Sequence, residues 1–267
     1  MKWRWSVNKQ RTMGVFLLLL LSAGMLNAQE FGEDKGLIWS EQKGLEYRLK
    51  AGLNVGGTAP LPLPAEIRKI EGYNPLLSIS IEGNVVKQIA PKWAILTGVR
   101  LENKGMSTRA RVKNYRIEID NRNDDGTTSR ITGVFTGHVK TKVRNSYISI
   151  PLLVACKPAP RWEIKMGPYL SFLTGGTFNG NAFDGYIREN DPTGEKIEVT
   201  SAVYDFSAEL RKVNWGIGLG GEWRAYRHLN IYTDLAWGLN PVFKKNFDSM
   251  AFHLYPIYAN IGFGYVF

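Results

Sequence analysis

The sequence predicts an all-β fold, an eight-stranded antiparallel up-and-down transmembrane β-barrel, with ten strands as the alternative count. Three observations carry that expectation. Segments that alternate apolar and polar residues recur along the 267-residue chain, and a period of two puts one kind of side chain on each face of a strand. Beyond residue 28 no apolar stretch reaches the roughly 20 residues that a spanning helix needs, so any membrane crossing falls to strands. The last eleven residues, finally, set Ile257, Ala259, Ile261, Phe263, Tyr265 and Phe267 against Tyr258, Asn260, Gly262, Gly264 and Val266. A closing strand that shows an apolar, aromatic-rimmed face to lipid has this pattern.

The amino end reads as a secretory signal peptide, residues 1–28. Lys2, Arg4, Lys9 and Arg11 form a basic head, Met13 to Leu21 a short apolar core, and Ala28-Gln29 the cleavage point, with Ser22-Ala23-Gly24 as a weaker alternative. A retained anchor is the rival reading, but the apolar run is short for one. Residues 29–44 form a short periplasmic segment and residues 45–267 the barrel. Removing the peptide leaves 239 residues with a net charge of +6, because it takes away four Lys/Arg and no acidic residue. The one cysteine, Cys156, lies in an apolar strand and reads as a small hydrophobe. Alone it supports neither an internal disulfide nor a cysteine-based metal site.

Eight strands follow in order. The first, near 45–55, sets Tyr47, Leu49, Ala51, Leu53 and Val55 against Arg48, Lys50, Gly52 and Asn54. The second, near 77–85, sets Leu77, Ile79, Ile81 and Val85 against Ser78, Ser80, Glu82 and Asn84. The third starts at Trp93 and opposes Ile95, Thr97, Val99 and Leu101 to Gly98, Arg100, Glu102 and Lys104. The fourth, 147–156, is apolar on both faces, which leaves its orientation open. The fifth, 162–172, opposes Trp162, Ile164, Met166, Leu170 and Phe172 to Glu163, Lys165, Gly167 and Ser171. The sixth, 215–223, is glycine-spaced, with Glu222 on its polar side. The seventh, 229–239, places Asp234 opposite Ile231, Thr233, Leu235 and Trp237, and the eighth closes the chain.

Connections near 88–92, 158–161 and 225–228 are short, whereas those near 56–75, 105–145, 174–204 and 240–254 are long. Three short turns alternating with four long loops suit an eight-stranded barrel in the outer membrane of a Gram-negative bacterium, with both termini in the periplasm. Trp93, Trp162 and Trp223 beside the short turns form an aromatic girdle. Strand-like pieces at 115–119 and 131–143 would give ten strands as a membrane hairpin, but their charges favour extracellular extensions of neighbouring strands. A soluble lipocalin-type barrel is the other rival, disfavoured by the girdle and by Phe267.

With the apolar face toward lipid, Arg48, Lys50, Glu82, Arg100, Glu102, Lys104, Glu163, Lys165, Glu222, Arg224 and Asp234 point into the lumen. Charges in so narrow a space must pair, since each alone would be desolvated. The result is a plug rather than an open channel. No spacing singles out a nucleophile near His138, His228 or His253, so the chain reads as no enzyme. The glycines of 216–220 sit in no strand–helix unit, so they make no nucleotide site, and no cofactor or metal is expected.

The best interaction candidate is the second long loop. Residues 104–144 carry ten Lys/Arg against four acidic residues, a net +6 that equals the excess of the whole processed chain. Arg109, Arg111, Lys113, Arg116, Arg130, Lys140 and Lys142 would attract lipopolysaccharide phosphates or a partner protein; a merely solvated basic hairpin is the bland alternative. Nucleic acid is excluded by the compartment.

Several segments together resemble the PorT-like outer-membrane β-barrel family of Bacteroidetes. They are Gly52-Leu53-Asn54-Val55-Gly56-Gly57, Gly98-Val99-Arg100-Leu101-Glu102-Asn103-Lys104-Gly105-Met106, Tyr147-Ile148-Ser149-Ile150-Pro151-Leu152-Leu153 and Gly167-Pro168-Tyr169-Leu170, with the glycine-spaced sixth strand. Phe263, Tyr265 and Phe267 likewise resemble the signature read by the barrel-assembly machinery. The resemblance implies a monomeric outer-membrane barrel with surface or secretion-complex proteins as partners. Its namesake belongs to a type IX secretion and gliding apparatus, so the expected roles are surface binding, export accessory or narrow porin-type transport.

Overall fold

The computed structural model describes residues 44–122, 128–189, 192–247, 249–250 and 252–267. The predicted signal peptide and residues 29–43 lie outside the described residues. The described residues form ten strands: β1 Leu45–Pro60, β2 Ile67–Pro75, β3 Ile79–Ala90, β4 Trp93–Arg122, β5 Thr128–Ala159, β6 Trp162–Glu189, β7 Lys196–Asp205, β8 Val213–Arg224, β9 Leu229–Gly238 and β10 Leu254–Val266. Eight of them close a ring in the order β1–β3–β4–β5–β6–β8–β9–β10. The ring shuts where β10 returns to β1, in register from Arg48 opposite Val266 to Pro60 opposite Leu254. Every neighbouring pair is antiparallel. Closure leaves these eight strands no bare edge, which a wall immersed in lipid requires.

The three short turns gather at one end, here called proximal, together with Leu45 and Phe267. Outside the ring, Leu49, Leu53, Val99, Ile150, Ile164, Leu219, Leu235 and Ile261 are all exposed. Trp93, Trp162 and Trp223 stand at the proximal rim of this band and Trp215 and Trp237 at the distal rim. The eight steps along the strand from Trp215 to Trp223 cover about 27 Å. At a tilt of about 40° that is about 20 Å of height, close to the apolar band of an outer-membrane barrel. The fourth predicted strand, ambiguous in sequence, turns Ile148, Ile150, Leu152 and Val154 outward and Tyr147, Ser149, Leu153 and Ala155 inward.

Two strands go beyond the eight expected. The segments near 56–75 and 174–204, expected as loops, contain β2 and β7. Strands β4, β5 and β6 run far past the lipid band, with β4 and β5 paired as far as Arg122 opposite Thr128. Their extensions present unpaired backbone, and β2 satisfies β4 from Met106 to Val112, while β7 satisfies β6 from Asn179 to Arg188. The pair at Asp120 and Val203 links β7 back to β4. The pieces at 115–119 and 131–143 thus extend neighbouring strands and form no separate membrane hairpin.

The chemistry of the buried face changes along the same strands, from charged to apolar. Going up β4, the inward side chains are Arg100, Glu102 and Lys104, then Met106, Val112 and Tyr115. A bulge after Val112, with Asn114 at a φ of 53°, keeps Tyr115 on the inner face. The distal extensions therefore enclose an apolar core: Phe135, Val143, Phe178, Ala182, Ile187 and Tyr204, sealed by Phe206, Leu210, Val242 and Phe243 from the adjoining loops. Phe178 meets the Phe243 ring at 4.8 Å and Phe243 meets Phe247 at 4.4 Å.

Candidate interaction site

Two groups of charged residues occupy different storeys of the molecule. In the lumen the described residues bury five cations, Arg48, Lys50, Arg100, Lys104 and Lys165, and five carboxylates, Glu82, Glu102, Glu163, Glu222 and Asp234. Alternation brings them inward, and Arg48, Lys50 and Lys165 find partners beyond the adjacent strands' register. Arg48 of β1 grips Glu163 of β6 with two bonds of 2.6 and 2.8 Å and reaches Glu222 of β8 at 3.0 Å. Glu222 also takes Lys50 at 3.0 Å and Lys165 at 2.5 Å. Asp234 pairs ionically with Lys50 at 3.0 Å, Lys165 at 2.9 Å and Arg100 at 3.2 Å. Arg100 bonds Glu82, and Lys104 bonds Glu102 at 2.9 Å, where Ser149 adds a 2.7 Å donor. Gly220 makes room at the centre: a Cβ there would collide with Asp234 and Lys165.

Equal numbers of opposite charges in mutual contact explain how ten ionic side chains tolerate burial. Arg224, expected among them, is only half-buried at the proximal mouth and has no acidic partner among the described residues. Its parity matches that of Glu222, but it is the last residue of β8 and lies where the lumen opens. Asn54, Ser80, Ser171 and Asn260, which alternation puts on the polar face but which stand outside the expected charge network, join it as neutral members. They share the inward parity and link the charged groups, with Asn260 donating to Asn54 at 2.9 Å and to Ser80 at 2.6 Å.

The second group covers the outer face of the distal sheet. Because the inner face there is apolar, the other parity is solvated: Arg109, Arg111, Lys113, Arg116, Lys140 and Lys142 are all exposed. Arg130 lies in the stretch whose side chains are outside the described residues. Register stacks like charges side by side, with Arg109 directly opposite Lys140 and Lys69 of β2 opposite Arg111. Arg144, one pairing row from the lumen residue Lys104, and Lys69 extend the patch beyond the residues singled out in sequence. Arg109 lies 5.7 Å above the Phe183 ring, which also stacks at 5.7 Å with His138. The carboxylate of Glu71 is taken up by His138 at 2.9 Å. Among the described residues none of these eight cations has a salt-bridge partner. Directly opposed like charges repel, so this face carries positive charge that no acidic side chain among the described residues offsets. Beneath it burial pushes the Tyr204 phenol up to about 12, against a 2.6 Å bond to Thr141.

Two of the histidines are held by neighbouring groups. His138 is held by Glu71, and His228 bonds the Val266 carbonyl at 2.7 Å while stacking on Tyr265 at 5.4 Å. At the carboxy end Phe263, Tyr265 and Phe267 are exposed on the outer wall.

A closed antiparallel ring with an apolar outer band, a charged lumen and long distal strands defines a transmembrane β-barrel protein. Residues 27–244 match the model of the outer membrane protein beta-barrel domain, and the chain belongs to that family. It is an outer-membrane protein. No curated protein matches the chain. Among solved structures it is similar to Ail, the attachment invasion locus protein of Yersinia pestis, at 9% identity over 84% of this chain and 97% of that one, with a TM-score of 0.35. It is also similar to OprG of Pseudomonas aeruginosa, at 12% identity, 84% and 97% coverage and a TM-score of 0.33. The translocator domain of the autotransporter NalP from Neisseria meningitidis matches at 10% identity, 97% and 97% coverage and a TM-score of 0.23.

Proposed function

We propose that this outer-membrane barrel is a non-enzymatic surface-binding protein whose distal basic face takes up phosphorylated glycolipid, lipopolysaccharide in the first instance. The short turns and both barrel termini face the periplasm in this reading, and the distal sheet stands outside the cell. The observation that carries it is the bank of exposed Lys and Arg side chains on β2, β4 and β5, free of salt-bridge partners among the described residues.

Position supports the assignment as much as charge. On β5 the outward face is apolar up to Ile148, and Arg144, Lys142 and Lys140 follow on the same strand. The four steps along the strand from Ile148 to Arg144 span about 13 Å, which brings the first cations just above the hydrocarbon, at headgroup level. The filled lumen speaks against porin-type transport. The PorT-like segments are compatible with an export-accessory role, but nothing in the charge pattern calls for one.

Binding of purified lipopolysaccharide to the refolded protein tests the reading. Neutralising Arg109, Arg111, Lys140 and Lys142 to Gln should weaken binding at least about tenfold and flatten its salt dependence, since charges near an anionic surface contribute on the order of 1 kcal/mol each. Unchanged affinity in a folded variant would reject the basic-face reading.

A further inference from the structure

The proximal end carries a second cationic feature that the distal reading does not use. Its three short turns and their flanks hold Lys87, Lys92, Lys157, Arg161, Arg224 and Arg227, and no Asp or Glu occurs in 86–92, 157–161 or 224–228. These cations sit next to the exposed girdle tryptophans Trp93, Trp162 and Trp223, which mark the boundary between hydrocarbon and headgroups. Four of the barrel's cations, Arg48, Lys157, Arg161 and Arg224, line one cavity at the mouth together with Glu163, Glu222 and Asn230.

The electrostatics of that cavity are asymmetric. Arg48 is shared among Glu46, Glu163 and Glu222, and Glu222 is also met from the lumen side by Lys50 and Lys165. Lys157, Arg161 and Arg224 have no acidic partner among the described residues. The Arg224 amide donates to the Arg161 carbonyl at 2.8 Å, which holds the two arginine-bearing backbones together. Asn230 is buried, donates its amide to Glu222 at 3.1 Å and leaves its Oδ1 without a hydrogen-bond partner. Outside, Trp162 and Trp223 pack at 6.4 Å, an apolar wall leading from the mouth toward lipid.

We infer that the proximal mouth is a binding site for an anionic phospholipid headgroup of the phosphatidylglycerol type. The phosphate lies among Lys157, Arg161 and Arg224, a headgroup hydroxyl donates to Asn230 Oδ1, and the glycerol and acyl chains descend over the Trp162–Trp223 pair. Three charged donors of this kind favour phosphate through charge-assisted hydrogen bonds. The assignment rests on the orientation proposed above, in which the short turns meet the phospholipid leaflet, but it does not depend on the distal site.

Native mass spectrometry of the refolded, detergent-solubilised barrel tests it, with phosphatidylglycerol and phosphatidylcholine of identical chains as probes. Wild type should retain phosphatidylglycerol at least about tenfold better. The K157Q/R161Q/R224Q variant should lose that preference while keeping the heat-modifiable mobility of a closed barrel, and R161K/R224K should keep most of it. Glutamine substitutions at Arg109, Arg111, Lys140 and Lys142 should leave phosphatidylglycerol retention unchanged, which separates this site from the distal one. Equal retention of the two lipids by wild type, or an undiminished preference in the triple variant, would overturn the assignment. So would loss of the preference on distal neutralisation alone.

Discussion

Glu222 touches more of the lumen network than any other single side chain described above, with Arg48, Lys50, Lys165 and Asn230 all bonded to it. Removing it leaves three buried cations short of a partner, a larger loss than any surface ion pair carries. Glu222→Ala should therefore cost about 3–5 kcal/mol, read from the urea midpoint of the barrel refolded into bilayers. Arg224→Gln, two residues along the same face, should change stability by less than about 0.5 kcal/mol. The contrast shows what parity can and cannot tell. Alternation of Arg48, Glu82, Glu163, Lys165 and Asp234 with apolar neighbours is visible in the sequence and fixes the face. Which cation meets which carboxylate depends on the stagger of strands far apart in sequence, as when β1 reaches β6 and β8, and no local pattern encodes it.

At the level of elements, the hairpin of β4 and β5 and its neighbour β6 change solvent partway along. Alternation continues unbroken past the membrane edge in β4 and β5, whereas β6 slips by one residue at Thr174, and the polar and apolar faces exchange roles between Lys104 and Met106. That exchange is why the distal core escaped the sequence reading. Its residues come in short apolar stretches among many charges, and its bulges at Asn114 and near Asp184 shift the parity. β2 was illegible for a different reason: it is exposed along nearly its whole length and has no buried face to produce a period. The distal storey should behave as a separately stabilised unit. Phe178→Ala removes a ring packed between Phe206 and Phe243 and should destabilise this storey by about 3–5 kcal/mol. Hydrogen exchange should then accelerate in β7 and distal β6 while β3 and β9 keep their protection. Equal acceleration in all four strands would mean that the two storeys unfold as one.

For the molecule as a whole, membrane placement follows from three superposed patterns: an apolar outer wall between two aromatic rims, a charged and internally neutral lumen, and cations gathered at both ends. The wall and the lumen were legible from periodicity because lipid imposes a strict period on every strand that crosses it. The ends were less so, since solvent imposes none, and only their charge stood out. Both binding assignments depend on which end faces out of the cell, and labelling of single cysteines measures that directly. In a background with Cys156 replaced by Ala, Lys140→Cys and Arg161→Cys place one thiol at each end. A membrane-impermeant maleimide should modify Lys140→Cys on intact cells and Arg161→Cys only after the outer membrane is permeabilised. The reverse pattern would put the basic sheet in the periplasm and contradict a surface-binding role for this protein.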